Sequence, residues 1–94
     1  MVLHYNKERH WVKALLDTGC SIALINEKTA KTLGLERLKH RKPHSIESYT
    51  GDAVQGAGQF YTKPLRMQDR RHYTTESFEL SPMDPEIDIF LPFD

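Results

Sequence analysis

A chain of 94 residues has room for one small domain, and a domain of that size buries a modest share of its surface and gains from association. Apolar residues at 38% and charged residues at 28% fit a soluble globular class and argue against disorder. The 13 basic and 13 acidic residues cancel to a formal net charge of zero, which gives no support to a dedicated binder of nucleic acid. In chain order, Val2–Tyr5 and residues 10–16 read as strands, joined through the polar Asn6, Lys7, Glu8 and Arg9. The second strand ends in the apolar run Ala14, Leu15, Leu16, which suits burial on both faces near the domain centre. Asp17, Thr18 and Gly19 break it, and a second apolar run follows at residues 22–25.

A helix is expected next. Asn26 suits its N-cap, Ala30 and Leu33 sit at helical spacing, and Gly34 suits its end. Residues 36–44 read as a polar, basic loop. Residues 45–49 and 53–61 read as two arms around the turn-forming Thr50, Gly51 and Asp52. Residues 65–67 and 73–80 read as a further hairpin, through Gln68, Asp69, Arg70 and Arg71. A loop over residues 81–86 leads to a last apolar strand at 87–91, stopped by Pro92. The expectation is a mostly β domain with one short helix.

Cys20 is the only cysteine, which excludes an internal disulfide and a thiolate zinc site and favours a reducing, intracellular setting. No apolar signal region opens the chain and no segment approaches membrane-spanning length.

A carboxylate directly after Ala14, Leu15 and Leu16 stands out, because a buried charge is costly unless paired or hydrogen-bonded. Two readings fit. In one, Asp17 closes a turn, with its oxygens bonded to nearby backbone N–H groups. In the other, it is half of a catalytic dyad. Two carboxylates about 3 Å apart share one proton; the ionised member takes a proton from water and the neutral member donates to a carbonyl. With one such motif per chain, the second carboxylate would come from another copy across a two-fold axis. The Thr18 hydroxyl can donate and accept to lock the loop, and Gly19 lets backbones approach closely.

The run Ala14-Leu15-Leu16-Asp17-Thr18-Gly19-Cys20-Ser21, followed by Ile25-Asn26, Ala30 and Leu33-Gly34-Leu35, resembles the retropepsin-like aspartic proteases. The likeness is closest to the protease domains of gypsy-type LTR retrotransposon polyproteins, and it spans nearly the whole chain. It implies one retropepsin-like domain over residues 1–94: a small closed β-barrel-like acid-protease half with a flap hairpin, cut short of a terminal helix and strand. It also implies roles. Asp17 matches the catalytic acid, Thr18 the residue whose hydroxyl bonds across the dimer axis, and Gly19 the glycine lying against substrate. Ser21 matches a contact to the substrate backbone. Tyr49, Thr50, Gly51, Asp52 and Ala53 match the flap over an extended peptide, and Phe90 matches the wall of a subsite. Cys20 stands where relatives carry alanine or serine, and Pro92 where they carry glycine. The implied protein is an aspartic endopeptidase protomer acting as a homodimer on a retroelement polyprotein, in the cytoplasm or the retroelement particle, with no metal or cofactor. The alternative is a catalytically silent dimerisation or peptide-binding module of the same fold.

His40 and His44 are four apart, a metal-ligand spacing on a helix, but they lie in a basic stretch broken by Pro43 and read as solvated loop. Residues 51–58 hold three glycines without the Lys-Ser/Thr pair of a phosphate loop. Trp11, Tyr5, Phe60, Tyr61 and Phe78 read as core or cross-strand residues. A phosphoryl-acceptor role for Asp17 fits poorly, since Thr18 stands where that chemistry wants lysine.

Overall fold

In the computed structural model the described residues are 1–17, 22–43, 46 and 54–92, with the backbone alone at Asp17. In chain order the strands are β1 (Val2–Tyr5), β2 (Glu8–Trp11), β3 (Ala14–Asp17), β4 (Leu24–Asn26), β5 (Leu38–Lys39), β6 (Phe60–Tyr61), β7 (Leu65–Asp69), β8 (His72–Glu76), β9 (Glu79–Ser81) and β10 (Ile89–Pro92), and the helix α1 (Glu27–Leu33) follows β4. They make an antiparallel sheet in the order β2-β1-β7-β8 and a mixed sheet in the order β3-β10-β4-β9-β6-β5. The mostly β architecture with one short helix is as expected. Among the described residues, however, neither sheet closes on itself, so the barrel of the expectation is two open sheets over a shared core.

The hairpin turns are tighter than the sequence suggested. Asn6 and Lys7 alone make the first, at φ 53° and 64°, the left-handed pair that matches the twist of flanking strands. Glu8 and Arg9 already pair with Tyr5 and His4. Arg70, at φ 59°, and Arg71 make the second turn.

Two expected strands are each divided, and for one reason. The expected strand over 10–16 stops at Trp11 and restarts at Ala14, because β2 belongs to the first sheet and β3 to the second. The expected strand over 73–80 stops at Glu76 and restarts at Glu79 in the same way. A strand that changes sheets must bend at the corner. Thr62, 1% exposed, ties one corner: its N–H donates to the Phe78 carbonyl, its hydroxyl accepts from the Phe78 N–H, and the Ser77 hydroxyl donates to its carbonyl. The arm expected over 53–61 is a strand only at Phe60 and Tyr61 among the described residues. Gly56 and Gly58, at φ 84° and 86°, turn the chain where a ladder would need extended backbone. The opposite arm and its tip lie outside the described residues, apart from Ile46, whose carbonyl accepts from Val54 N–H.

The core is where the sheets face each other. Leu3 pairs with Met67 in the first sheet, and Ile25 lies between Leu80 and Ile89 in the second. These five and Phe78 are at most 1% exposed, and each buried side chain of this size contributes about 1.5–3 kcal/mol. Ala30 carries the inner face of α1, and Leu35 is buried beside it. Gly34, at φ 70°, ends the helix, with Gly34 N–H on the Lys31 carbonyl and Leu35 N–H on the Ala30 carbonyl.

Two side chains hold β10 in the middle of the mixed sheet. Asn26, 2% exposed, accepts from Lys28 N–H at 3.0 Å as the N-cap of α1. Its amide donates to the Ile87 and Asp84 carbonyls at 2.9 and 3.2 Å. Asp88 accepts from the Lys13 N–H at 2.7 Å and the Thr29 hydroxyl at 2.6 Å. Its carbonyl accepts from Asn26 N–H at 2.8 Å.

Asn26→Ala removes the cap and the amide donor to the Ile87 carbonyl, while the Asp84 carbonyl keeps the Ile87 N–H; a loss of about 2 kcal/mol is expected, or on the order of 10 °C in Tm by circular dichroism. Thr29→Val keeps the side-chain shape and removes the donor to Asp88, so urea unfolding is expected to show about 1–2 kcal/mol of destabilisation.

Candidate active site

Asp17 is the last residue of β3, which among the described residues is an edge strand with β10 alone beside it. The ladder is parallel, from Ala14 opposite Ile89 to Asp17 opposite Pro92. Its start is fixed at Lys13, whose carbonyl accepts from both Asp88 and Ile89 N–H groups at 3.0 and 3.2 Å and whose N–H is held by the Asp88 carboxylate. The acid is thus carried four residues beyond an anchored point by a regular ladder.

Pro92 was expected to stop the last strand, yet it is the final strand residue, opposite Asp17. Ile89 N–H faces β3, so strand alternation turns position 92 the other way, toward β4. There the pairing ends at Phe90 opposite Leu24, and the missing N–H costs the ladder nothing.

Leu15 and Leu16 differ from the expectation of two-sided burial: they are 46% and 56% exposed. The apolar run reads as a central strand, but among the described residues the strand it builds has one open edge. An exposed apolar edge is an invitation to pair.

A cavity of about 740 Å³ opens beside this strand end, and Leu16, Ile22, Leu91 and Pro92 are among the residues that line it. His40, Tyr61, Glu76 and Glu79 line it as well. His40 was expected in a solvated loop. Instead it is partly buried, with Nε2 at 2.7 and 2.8 Å from the two Glu79 carboxylate oxygens and its ring stacked on Tyr61 at 4.4 Å. Tyr61 stands directly opposite Glu79 between β6 and β9, which sets the three side chains together. Sequence reasoning missed this group. Glu79 alternates with the buried Phe78 and Leu80, the pattern of an ordinary solvent-facing residue.

Of the residues singled out in the sequence, Asp17 is placed by its backbone at the rim of this region, and Phe90 lies in β10 between Leu15 and Leu24. Phe90 is not among the residues lining the cavity, whereas its neighbours Leu91 and Pro92 are. Thr18, Gly19, Ser21, Tyr49, Thr50, Gly51, Asp52 and Ala53 lie outside the described residues. No helix among the described residues is long and apolar enough to cross a membrane.

A family model described as gag-polyprotein putative aspartyl protease matches residues 4–88, which includes the strand carrying Asp17 and most of the core. No curated protein and no solved structure matches the chain. An acid at the end of an anchored strand, beside an open cavity, on a chain matched over nearly all its length, is a consistent set: this protein belongs to the aspartyl protease family of gag polyproteins.

Proposed function

We propose that the chain is one protomer of a homodimeric aspartic endopeptidase that cuts a retroelement polyprotein of gypsy type, with Asp17 of each copy forming the dyad. The observation that carries the reading is the position of Asp17. It ends an edge strand whose neighbouring Leu15 and Leu16 are open to solvent, so the acid and an uncovered apolar edge coincide. A second copy across a two-fold axis would cover that edge and bring the matching carboxylate, since each residue near such an axis meets its twin.

On this reading the ionised Asp17 takes a proton from a water held between the two acids, and the neutral Asp17 donates to the scissile carbonyl. The attacked carbon becomes tetrahedral and collapses with protonation of the leaving amine. Thr18 locks the loop, Gly19 and Ser21 meet the substrate backbone, and residues 49–53 cover an extended peptide, with Phe90 near a neighbouring subsite. Asp88 is a positioning residue: through Lys13 and the β10 ladder it fixes where Asp17 falls.

Wild type is expected to cleave unstructured peptides at mildly acidic pH, and Asp17→Asn to lower the rate by about 10³-fold or more. Equal cleavage by both would remove Asp17 from the mechanism. Leu15→Asp puts a charge on the open edge, and sedimentation equilibrium is expected to show self-association weakened at least about tenfold, with cleavage falling in step. A wild-type dimer that cuts no peptide would instead mark a silent binding module.

A further inference from the structure

We infer that the outer face of the first sheet is a binding surface for single-stranded nucleic acid. Trp11 and Tyr73 are its stacking platforms, and Arg9 and Arg66 are its phosphate contacts. The surface belongs to β1, β2, β7 and β8 and requires nothing of Asp17.

Leu3, Leu65 and Met67 pack from this sheet into the core, so strand alternation turns the residues between them outward. Two cross-strand rows result. One runs Trp11, Val2, Gln68, Tyr73, and the next runs Arg9, His4, Arg66, Thr75. The acidic residues of the same strands, Glu8, Asp69 and Glu76, all fall at the alternate positions. The chain's net charge of zero thus conceals a sheet face whose two rows hold arginines and no carboxylate. Arg70 and Arg71 make the turn just beyond the aromatic row.

Trp11 is 83% exposed and Tyr73 50% exposed. Exposed aromatic rings among cations are the surface on which single strands are held, because every base has a face to stack and every nucleotide a charge to neutralise. The two rings stand at opposite ends of one row, three strand spacings or about 14 Å apart. Bases in a duplex stack about 3.4 Å apart with their faces covered, so this separation suits a strand whose bases are splayed. An acidic peptide would engage the arginines and leave the rings in water.

The face is also ordered in advance. The Arg66 guanidinium carbon lies 4.2 Å from the Tyr73 ring centroid, so a base on Tyr73 would bring its phosphate beside a placed cation. Arg9 and Arg66 make no ion pair among the described residues. Between the two rings, the Gln68 amide donates to the Arg70 carbonyl at 2.9 Å, and its oxygen stands 2.9 Å from His4 Nε2. That chain ties the basic turn to the middle of the face.

Trp11 is the only tryptophan, so its fluorescence reads this surface directly. Wild-type protein is titrated with oligouridine RNA, with oligothymidine DNA and with a duplex of the same length. A single strand is expected to quench Trp11, and the affinity to fall about 20-fold between roughly 50 and 200 mM salt, the slope of about three phosphates. Quenching by both single strands or by RNA alone supports the surface, the second adding that the 2′-hydroxyl is read. Trp11→Ala and Tyr73→Ala, checked for folding by circular dichroism, are each expected to weaken binding about tenfold when followed by anisotropy of a labelled strand. Arg9→Ala with Arg66→Ala is expected to flatten the salt dependence. No quenching by either single strand, equal quenching by the duplex, or affinity untouched by the aromatic substitutions overturns the proposal. So does polyglutamate that binds as tightly as the oligonucleotides, or an anionic vesicle that shifts Trp11 emission where they do not.

Discussion

The bonds around Asp88 are the constraint on which this fold depends. One carboxylate takes the Lys13 N–H just before β3 and the Thr29 hydroxyl of α1, and the same residue's carbonyl takes the N–H of Asn26. Two segments far apart in sequence, at Lys13 and at Asn26 to Thr29, therefore converge on the residue just before β10. Without that convergence, β10 would have to find its place between β3 and β4 by apolar contact alone, and a slip of one residue would move Ile89 from the core to the opposite face. Asn26 supports the same point from the other side, since its amide ties the 84–87 loop that delivers Asp88. The register of Asp17 against Pro92 is a downstream consequence of these polar bonds.

What was legible in the sequence follows from how local each signal is. The helix was readable because its cap, its spacing and its terminal glycine lie within nine residues, from Asn26 to Gly34. The first hairpin was readable from the polar run between two strand-like segments, although the left-handed Asn6 and Lys7 narrowed its turn to two residues. Strand breaks at Val12 and Ser77 were not readable, because a chain changing sheets keeps its extended, apolar character while its partners change. The same limit hid Glu79 and His40. Each looks solvated in its own segment, and their meeting depends on β6 and β9 pairing at Tyr61. Asp88 was read as one residue of an apolar strand, and nothing nearby in sequence announces its partners Lys13 and Thr29.

The acid motif was legible for a different reason. A carboxylate after Ala14, Leu15 and Leu16 contradicts the local pattern, and such contradictions gather where function departs from packing. The structure sharpened the contradiction. Those leucines were read as buried on both faces, and in the single chain they are not. Apolar residues kept on an open edge have no folding role that polar residues would not fill more safely. The departure thus extends from the acid to the strand that carries it.

On the proposed reading this division has an energetic logic. A carboxylate at the end of an edge strand can keep water on its open side, so the folded protomer need not bear the cost of desolvating a charge. That cost, and the separation of two titrations that makes one acid a donor and the other an acceptor, arise only when a second carboxylate is brought alongside. Burial of the Leu15 and Leu16 edge is then the favourable term that would offset bringing two acids together. The protomer supplies placement, through Asp88 and the β10 ladder, and leaves tuning to the assembly. On that reading, activity would rise with the concentration of protomers, because the second acid arrives only with the second copy.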